Sequence, residues 1–562
     1  MDNLLKIANI KEMLINSAEK YRDNVAYKID DKNITYKEVK NNVDSLGTAL
    51  TNKGLQGKRI AIIGQNSYNW EIAYLSIVCG TGVVVPLDKM LPENELESLI
   101  KRSEVEAIFF DEKFEEVLEK ISKKNDNNLK LLISMGERKK EKTLLQKDLI
   151  ETGKQLVLNG NKEFINSKIN DDKMNILLFT SGTTSKSKAV MLSHKNICSN
   201  IDAIGKTLNV DENDSFLSIL PLHHVFECTV GFLFPLSVGA RIVFGRGLKH
   251  IAQDLKDNQI SVLLCVPAIY ENLYKNIRKK FEKEGHLELL EELEEKAQNY
   301  SMQERRKIFK QIHESIDNNT KLLISGAAAL DPEVEKTFRI WGFNLVQGYG
   351  LTEASPVISV ESEENYRLSS IGKALPGIEA KIDNPDIDGM GELIVKGDNV
   401  MLGYLNDDEA TKKVIKDGWL YTGDLAKIDE DGFIYICGRK KSVIVLKNGK
   451  NIFPEEMEKL VNKIEGVRES FIFGKTTNKT KGDIKLNVEI VYDKNEVQDI
   501  YKITTIDEIY EKFHEKIKQV NSTIPSYKAI KGIVFSEEPL IKTSTNKIKR
   551  DENIARINRV SV

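Results

Sequence analysis

The sequence has few cysteines and no recognisable metal-binding pattern. Its five cysteines are scattered and contain no C-x-x-C pair, which excludes a dense disulfide framework and a cysteine zinc site. The seven histidines include no H-x-x-x-H spacing, so a helix-borne zinc protease site is excluded as well. This cysteine usage fits a reducing compartment, and we expect a cytoplasmic protein.

The sequence also lacks an excess of either charge. Its 82 basic and 85 acidic residues nearly cancel and give a net charge of −3. Such a chain has no global basic field for nucleic acid. Because 41% of its residues are hydrophobic, it can bury a core and does not resemble a disordered polyelectrolyte. We therefore expect a folded protein without a nucleic-acid partner.

Long hydrophobic runs are missing too. The longest weakly polar run covers residues 72–86 (IAYLSIVCGTGVVVP), which is shorter than a bilayer span and is interrupted by two glycines. This run predicts a buried helix, turn and strand. The first residues contain acids and lysines and do not resemble a signal peptide. We expect no transmembrane segment, while peripheral membrane association stays open.

What the sequence does contain is a regular alternation of apolar and amphipathic segments. At 562 residues the chain exceeds the size of one compact core, which stops growing at about 250–300 residues. Several short runs are apolar throughout, as expected of parallel strands covered on both faces. These runs include RIAIIG (59–64), EAIFF (106–110), NILLFT (175–180), SVLLCVP (261–267) and KLLISG (321–326). The pattern predicts an α/β fold.

The pattern of apolar runs and turns changes after about residue 375. Glycine turns there separate short strands, which predicts a distorted, β-barrel-like piece of antiparallel structure. Beyond Gly438, the tail has its own apolar strands and helices. We predict a large N-terminal domain of several subdomains over residues 1–438, built of βαβ-layered sheets and the barrel-like piece. A small, mobile α+β C-terminal domain covers residues 439–562.

Residues 270–319 form a long charged stretch. They are rich in Glu and Lys, and Gly285 is the main interruption. A solvated helical hairpin is the prediction, and contact with a membrane or a partner is the alternative.

A short polar loop follows the apolar run that ends at residue 180. Residues 178–188 (LFTSGTTSKSK) combine one glycine, several hydroxyls and two lysines. Backbone N–H groups, hydroxyls and ammonium groups together can hold a polyphosphate. An ordinary polar surface loop would have the same composition, so both interpretations stay open at this point. The loop is not a Walker A motif, and the half-motifs at Gly205 and Gly474 lack the required first glycine.

The pattern T-S-G-T-T-x-x-x-K after a strand resembles the signature loop of the adenylate-forming superfamily. That superfamily includes acyl- and aryl-CoA synthetases, luciferases and peptide-synthetase adenylation domains. Four more of its motifs follow in order, at residues 347–353 (QGYGLTE), 421–424 (YTGD), 438–439 (GR) and 542–547 (KTSTNK). The chain departs from the family pattern at Ser185, Ser187, Ala189, Ile541 and Asn546.

The resemblance implies an ATP site with named roles. Lys547, Thr180 and Glu353 would be catalytic. Thr183 and Glu353 would bind Mg²⁺, and Lys441 would be the hinge between the two domains. The residues expected to bind ATP or AMP are Thr180, Ser181, Gly182, Thr183, Thr184, Lys188, Gly326, Ala327, Gly348, Tyr349, Gly350, Thr352, Asp424, Arg439 and Lys547.

The residue types suit these roles. Glycines allow the backbone to approach a ligand closely, and Tyr349 offers a flat face to adenine. Glu353 supplies the hard oxygen that Mg²⁺ prefers. The carboxylate of Asp424 can accept hydrogen bonds from both ribose hydroxyls.

Two further segments resemble long-chain fatty acid–CoA ligases. They are residues 220–227 (LPLHHVFE) and 325–330 (SGAAAL). They imply an acyl site at His224, Phe226 and Gly326, and we expect His224 and Phe226 to lie on an apolar strand. A medium- to long-chain fatty acid, ATP and CoA would then be the partners, and acyl-CoA, AMP and pyrophosphate the products. Acyl carrier protein as acceptor, or a non-catalytic module that binds nucleotide or fatty acid, are the alternatives.

Overall fold

The structure is a computed structural model that describes residues 7–138, 143–180, 187–316, 319–446, 450–476, 484–542 and 548–560. The expected ATP-site residues Ser181, Gly182, Thr183, Thr184 and Lys547 lie outside the described residues.

Helices occur along the whole described chain. They are α1 (Ile10–Lys20), α2 (Tyr36–Asn52), α3 (Tyr68–Ser76), α4 (Glu93–Ser103), α5 (Glu115–Ser122), α6 (Gln146–Leu158), α7 (His194–Thr207), α8 (Phe234–Val238), α9 (Ile251–Asn258), α10 (Pro267–Lys283), α11 (Leu287–Ala297), α12 (Met302–Ile308), α13 (Lys310–Ile316), α14 (Pro332–Ile340), α15 (Asp408–Val414), α16 (Pro454–Asn462), α17 (Lys494–Tyr501), α18 (Ile506–Ser522) and α19 (Arg550–Val560).

Strands alternate with these helices. They are β1 (Val25–Ile29), β2 (Lys32–Thr35), β3 (Lys58–Ile63), β4 (Gly82–Leu87), β5 (Ala107–Phe110), β6 (Leu131–Ser134), β7 (Leu144–Leu145), β8 (Met174–Thr180), β9 (Lys188–Ser193), β10 (Ser215–Ser218), β11 (Arg241–Phe244), β12 (Val262–Cys265), β13 (Leu322–Ser325), β14 (Leu345–Gly350), β15 (Val357–Val360), β16 (Lys373–Ala374), β17 (Ile378–Asp383), β18 (Gly391–Gly397), β19 (Gly403–Tyr404), β20 (Ile415–Lys416), β21 (Trp419–Ile428), β22 (Ile434–Arg439), β23 (Ile444–Val445), β24 (Asn451–Ile452), β25 (Val467–Thr476), β26 (Ile484–Tyr492) and β27 (Ile530–Ser536).

Two large mixed sheets form the N-terminal part. One has the strand order β16-β15-β14-β13-β12-β10-β11-β1-β2, and the other has the order β19-β9-β8-β4-β3-β5-β6-β7. Their central pairs are parallel, and strands such as β5, β12 and β13 are buried at every position. Such strands need cover on both faces, and the intervening helices provide it. The α/β prediction is confirmed.

The antiparallel region after residue 375 forms a five-stranded sheet of β17, β18, β20, β21 and β22. Among the described residues its outer strands do not pair with one another, so the barrel-like piece expected from the sequence is an open sheet. The C-terminal part has its own three-stranded sheet, β25-β26-β27, which mixes an antiparallel and a parallel pair. A separate apolar cluster packs this sheet against α16, α17 and α18.

The charged region 270–319 is helical, as predicted, but its described residues form four helices, α10 to α13, and not a two-helix hairpin. Ser301 explains the extra break, because it caps α12 in a capping box with Glu304. The region is only partly solvated, since Phe309 and Ile312 are buried in a core cluster.

The apolar run at residues 72–86 forms the end of α3, a turn at Ile77–Thr81 in which Gly80 has a non-helical φ of 148°, and most of β4, as predicted. No helix in the described ranges is long and apolar enough to cross a membrane.

Candidate active site

The candidate site lies where several strands end. Strands β10, β12, β13 and β14 are parallel neighbours, so their carboxyl ends meet at one edge of the sheet. The segments that follow them line a cavity of about 2470 Å³, together with the end of β8 from the other large sheet. The edge at the carboxyl ends of parallel strands is the usual ligand site of α/β sheets.

At one end of the cavity, a cation and a carboxylate flank a tyrosine. Thr180 and Lys188 face each other across β8 and β9, and the Thr180 hydroxyl donates to the Lys188 carbonyl oxygen at 3.5 Å. The Lys188 Nζ lies 4.3 Å from the centre of the Tyr404 ring. The Tyr404 hydroxyl donates to Glu353 Oε1 at 2.8 Å. All four residues line the cavity. Two expected residues, Lys188 and Glu353, therefore meet at Tyr404, which the sequence analysis missed.

A second cluster holds a carboxylate in place. Asp424 on β21 lies opposite Arg439 on β22, and Asp424 Oδ1 is 2.9 Å from Arg439 Nε. The Tyr349 hydroxyl donates to Asp424 Oδ2. Burial raises the pKa of Tyr349, and the Asp424 charge raises it further, so this hydroxyl stays a donor. The structure thus brings the expected adenine and ribose residues together.

The backbone between these clusters approaches the cavity closely. Gly348, Gly350, Thr352 and Glu353 all line it. A Cβ at Gly350 would lie 1.9 Å from the Pro356 carbonyl oxygen, so only glycine fits there.

Of the acyl-site residues expected from the sequence, His224 and Phe226 line the cavity, but from a different element, and Gly326 is not among the lining residues. His224 and Phe226 do not lie on a strand: β10 ends at Ser218, a turn follows, and a helical segment begins at Val225. Pro221 explains the error, because proline cannot continue a central strand. The expectation of an apolar strand was therefore wrong.

Phe226 packs directly on the loop after β13. A Cβ at Gly326 would lie 2.5 Å from the Phe226 ring, so the glycine makes room for the aromatic side chain. The next residue, Ala327, has a positive φ of 68° and lines the cavity beside Phe226. Gly326 and Phe226, which the sequence placed in one acyl site, are in contact.

Side chains from the N-terminal sheet hold the turn that carries His224. Asn66 Nδ2 donates to the Leu220 carbonyl oxygen at 2.6 Å, and Asn66 Oδ1 accepts from the Leu222 N–H at 3.2 Å. The His223 and His224 rings lie 4.1 Å apart, and His223 Nε2 is 3.5 Å from Asp88 Oδ1.

Glu227 is a further residue that the sequence analysis did not single out. Its side chain is buried and lines the cavity, and the Ser218 hydroxyl donates to Glu227 Oε1 at 2.6 Å. Burial raises the pKa of this carboxyl to about 8, so it holds its proton at neutral pH. Its position at the end of the LPLHHVFE motif was the signal available in the sequence.

The C-terminal part closes one side of the cavity. Lys441, the expected hinge, is exposed in the turn after β22 and lines the cavity. Ile548 and Arg550 line it as well. Ile548 directly follows Lys547, the expected catalytic lysine outside the described residues. An ion pair of 2.8 Å between Lys463 Nζ and Asp331 Oδ2 joins the two parts.

Comparison with known proteins agrees with this geometry. The AMP-binding enzyme family matches residues 14–405, and the AMP-binding enzyme C-terminal domain matches residues 441–559. The long chain acyl-CoA synthetase 2 of Arabidopsis thaliana is 29% identical over 477 residues, covering 78% of this chain and 71% of that protein. The long-chain-fatty-acid–CoA ligase of Salmonella typhimurium is 27% identical over 512 residues, covering 85% of each.

Solved structures show the same fold. An anthranilate CoA ligase in complex with anthranoyl-AMP superposes with a TM-score of 0.79 at 20% identity, covering 100% of this chain and 99% of that one. The o-succinylbenzoate CoA synthetase of Bacillus subtilis, in complex with ATP and magnesium, superposes with a TM-score of 0.74 at 21% identity, covering 96% and 99%.

Proposed function

The chain belongs to the AMP-binding enzyme family, and we propose that it is an AMP-forming acid–CoA ligase whose acid is a long-chain fatty acid. The coarser part, an adenylate-forming acyl-CoA ligase, is supported by the family and by the names of its relatives. The long-chain acid is the finer part, and the acyl end of the cavity supports it.

The observation that carries the proposal is the convergence of three clusters on one cavity. Lys188 would offer a cation to a polyphosphate, and Glu353, held by Tyr404, would offer a carboxylate to its Mg²⁺. Tyr349, Asp424 and Arg439 contact one another and would bind adenine and ribose. The apolar side chains that line the same cavity include Ile204, Leu208, Phe226, Val230 and Val357. A single apolar-lined space beside a nucleotide site suits an alkyl chain.

The chemistry explains why these groups are needed together. A carboxylate is a poor acyl donor because its leaving group would be oxide. One carboxylate oxygen attacks the α-phosphorus of ATP, the bond to the β-phosphate breaks, and pyrophosphate leaves. The thiol of CoA then attacks the carbonyl carbon, and AMP leaves with that oxygen. Both anions of the first step must be aligned and their charge offset, which is the task of fixed cations and donors.

Mg²⁺ fits this site as a phosphate-bound ion. It is usually held by one or two carboxylates together with the phosphates of the substrate, and not by a full cage of protein ligands. Among the described residues no group of three or more His, Cys, Asp and Glu side chains forms such a cage. Glu353, held by Tyr404, would be the carboxylate, and Mg²⁺ would offset phosphate charge.

We also propose the roles that the sequence assigns outside the described residues. Lys547 would bridge carboxylate and α-phosphate, and Thr183 would assist in holding Mg²⁺. The division into residues 1–438 and 439–562, with Lys441 as hinge, is part of the same proposal. The separate apolar cluster of the C-terminal part supports it.

The test is pyrophosphate release by the purified protein with ATP, Mg²⁺ and saturated acids of increasing chain length. We expect acetate to be poor and long-chain acids to be good. Acyl transfer is then followed with CoA and with acyl carrier protein in parallel, and CoA is the expected acceptor. Aryl acids as clearly better substrates would overturn the long-chain assignment, and exclusive transfer to acyl carrier protein would overturn the acceptor.

A further inference from the structure

Gln347 lies between the two segments that form the expected adenine pocket. It is the residue of β14 just before Gly348, and it pairs with Ser325 of β13. Its Oε1 accepts from the Leu330 N–H at 3.1 Å, at the far end of the loop that contains Ala327. One buried carboxamide therefore bonds to the loop on one side and belongs to the Tyr349 strand on the other.

A buried ionic cluster fixes the other end of this carboxamide. Gln347 Nε2 donates to Glu335 Oε2 at 2.7 Å, and the Gln347 backbone N–H donates to Glu361 Oε2 at 3.0 Å. Arg339 Nη2 donates to the same Glu361 oxygen at 3.3 Å, and Arg339 Nε lies 3.7 Å from Glu335 Oε1. None of these three charged side chains is more than 3% exposed.

Such a cluster is rigid, because a buried charge that loses a partner becomes costly. Two carboxyls share one guanidinium here. Burial raises the pKa of Glu335 to about 7, and the charge of Glu361 contributes to the rise. Each of these acids accepts a hydrogen bond from Gln347, so a shift of Gln347 would disturb both.

We propose that Gln347 is a positioning residue for nucleotide binding: its carboxamide ties the loop of residues 326–330 to the Tyr349 strand and sets the width of the adenine pocket. This inference rests on the proposed function, since it assumes that adenine binds between these two walls. A pocket held in its bound geometry beforehand binds its ligand without the cost of ordering two segments.

The test is AMP binding by calorimetry, which requires no knowledge of the acid. Gln347→Glu keeps the side-chain length and the acceptor for the Leu330 N–H, but removes the donor to Glu335. We expect AMP affinity to fall about tenfold, the effect of one hydrogen bond of about 1.4 kcal/mol. In steady state the KM for ATP should rise more than kcat falls.

The exchanged pair Gln347→Glu/Glu335→Gln restores a carboxamide–carboxyl hydrogen bond in the reverse direction. It should recover AMP affinity to within about threefold of the starting protein. Gln155→Glu is the matched control, because Gln155 donates to Glu151 in the same way on the exposed face of α6. It should leave AMP binding unchanged.

The outcomes separate the inference from the proposed function. If the unaltered protein binds no adenine nucleotide, the proposed function fails. If it binds AMP and Gln347→Glu binds equally well, or only melts at a lower temperature, Gln347 is not a positioning residue. Failure of the exchanged pair to recover affinity also overturns the inference. If Gln347→Glu does not fold, the exchanged pair is compared directly with the unaltered protein.

Discussion

At the scale of single residues, the proposed ribose contact depends on one carboxylate and its two partners. Asp424 is almost wholly buried, and its two oxygens face Arg439 and Tyr349. Arg439 and Tyr349 line the cavity, and both fix the orientation of the Asp424 carboxylate directly behind them.

Asp424→Asn should therefore weaken nucleotide binding. It keeps the shape of the side chain but removes the charge that accepts ribose hydroxyls, so we expect the KM for ATP to rise about tenfold to a hundredfold. Asp429→Asn is the control. Asp429 directly follows β21, the strand of Asp424, and pairs with Arg367 away from the cavity, so this change should alter the KM little. An unchanged KM in Asp424→Asn would show that the ribose binds elsewhere.

Glu227 makes the stability of the protein depend on pH. Its carboxyl has a pKa of about 8 in the folded protein against an ordinary 4.5, so the folded state holds a proton that the unfolded chain releases. Stability should fall as pH rises from about 4.5 to about 8, by up to about 1.4 kcal/mol per pH unit.

Glu227→Gln should remove this contribution. We would measure the free energy of unfolding in urea at pH 5, 6, 7 and 8. The free energy of the variant should increase relative to that of the starting protein as pH rises. Glu212 is exposed, so the stability of Glu212→Gln should change with pH in the same way as that of the starting protein. Parallel curves for Glu227→Gln would mean that Glu227 is not the proton-binding group.

Some site residues could not be predicted from the sequence at this scale. Tyr404 belongs to a short GYLN segment without a motif, and it reaches Glu353 because β19 pairs with β9, more than 200 residues earlier. Gln347 is part of a predicted motif, but its proposed role depends on Glu335 of α14 and on Glu361, just after β15, which only the folded structure brings close. The sequence motifs therefore indicated which residues belong to the site, but not which residues far along the chain hold them in place.

At the scale of elements, the buried parallel strands were predictable and the connections were less so. β12 and β13 are buried at every position and apolar except for Ser325, because both faces are covered, and that pattern is visible in the sequence. The segment after β10 was predicted as strand from its apolar residues, although the cavity wall there is a turn and a helix. Apolar composition reports burial and does not by itself distinguish these elements.

The turn after β22 is the element whose freedom should matter for turnover. Lys441→Pro fixes φ at the proposed hinge, so the acyl-adenylate should still form while its conversion to acyl-CoA slows. Lys441→Ala removes the same side chain without fixing φ, and it should retain more of the second step.

Lys547→Ala should have the opposite effect. The variant should no longer form acyl-adenylate from fatty acid and ATP, but it should still convert supplied acyl-adenylate to acyl-CoA. Equal loss of both steps in Lys547→Ala would contradict its role.

At the scale of the whole molecule, one cavity is enclosed by both parts of the chain. The two large sheets and the five-stranded sheet carry the residues proposed to bind phosphate, ribose and the acyl chain, and the C-terminal part adds Ile548 and Arg550. A movement of the C-terminal part would break the Lys463–Asp331 ion pair and would remove Ile548 and Arg550 from the cavity wall. Sequence motifs predicted both parts of the chain. That both parts line the same cavity is visible only in the structure.

The central claim is that the carboxylate of a fatty acid attacks the α-phosphorus of ATP. The most direct measurement uses a long-chain acid labelled with ¹⁸O in both carboxylate oxygens, with ATP, Mg²⁺ and CoA, followed by mass spectrometry of the nucleotide. One labelled oxygen should appear in AMP for each acyl-CoA formed, because the attacking oxygen leaves with the phosphate. Unlabelled AMP, or ADP with label in inorganic phosphate, would contradict the account.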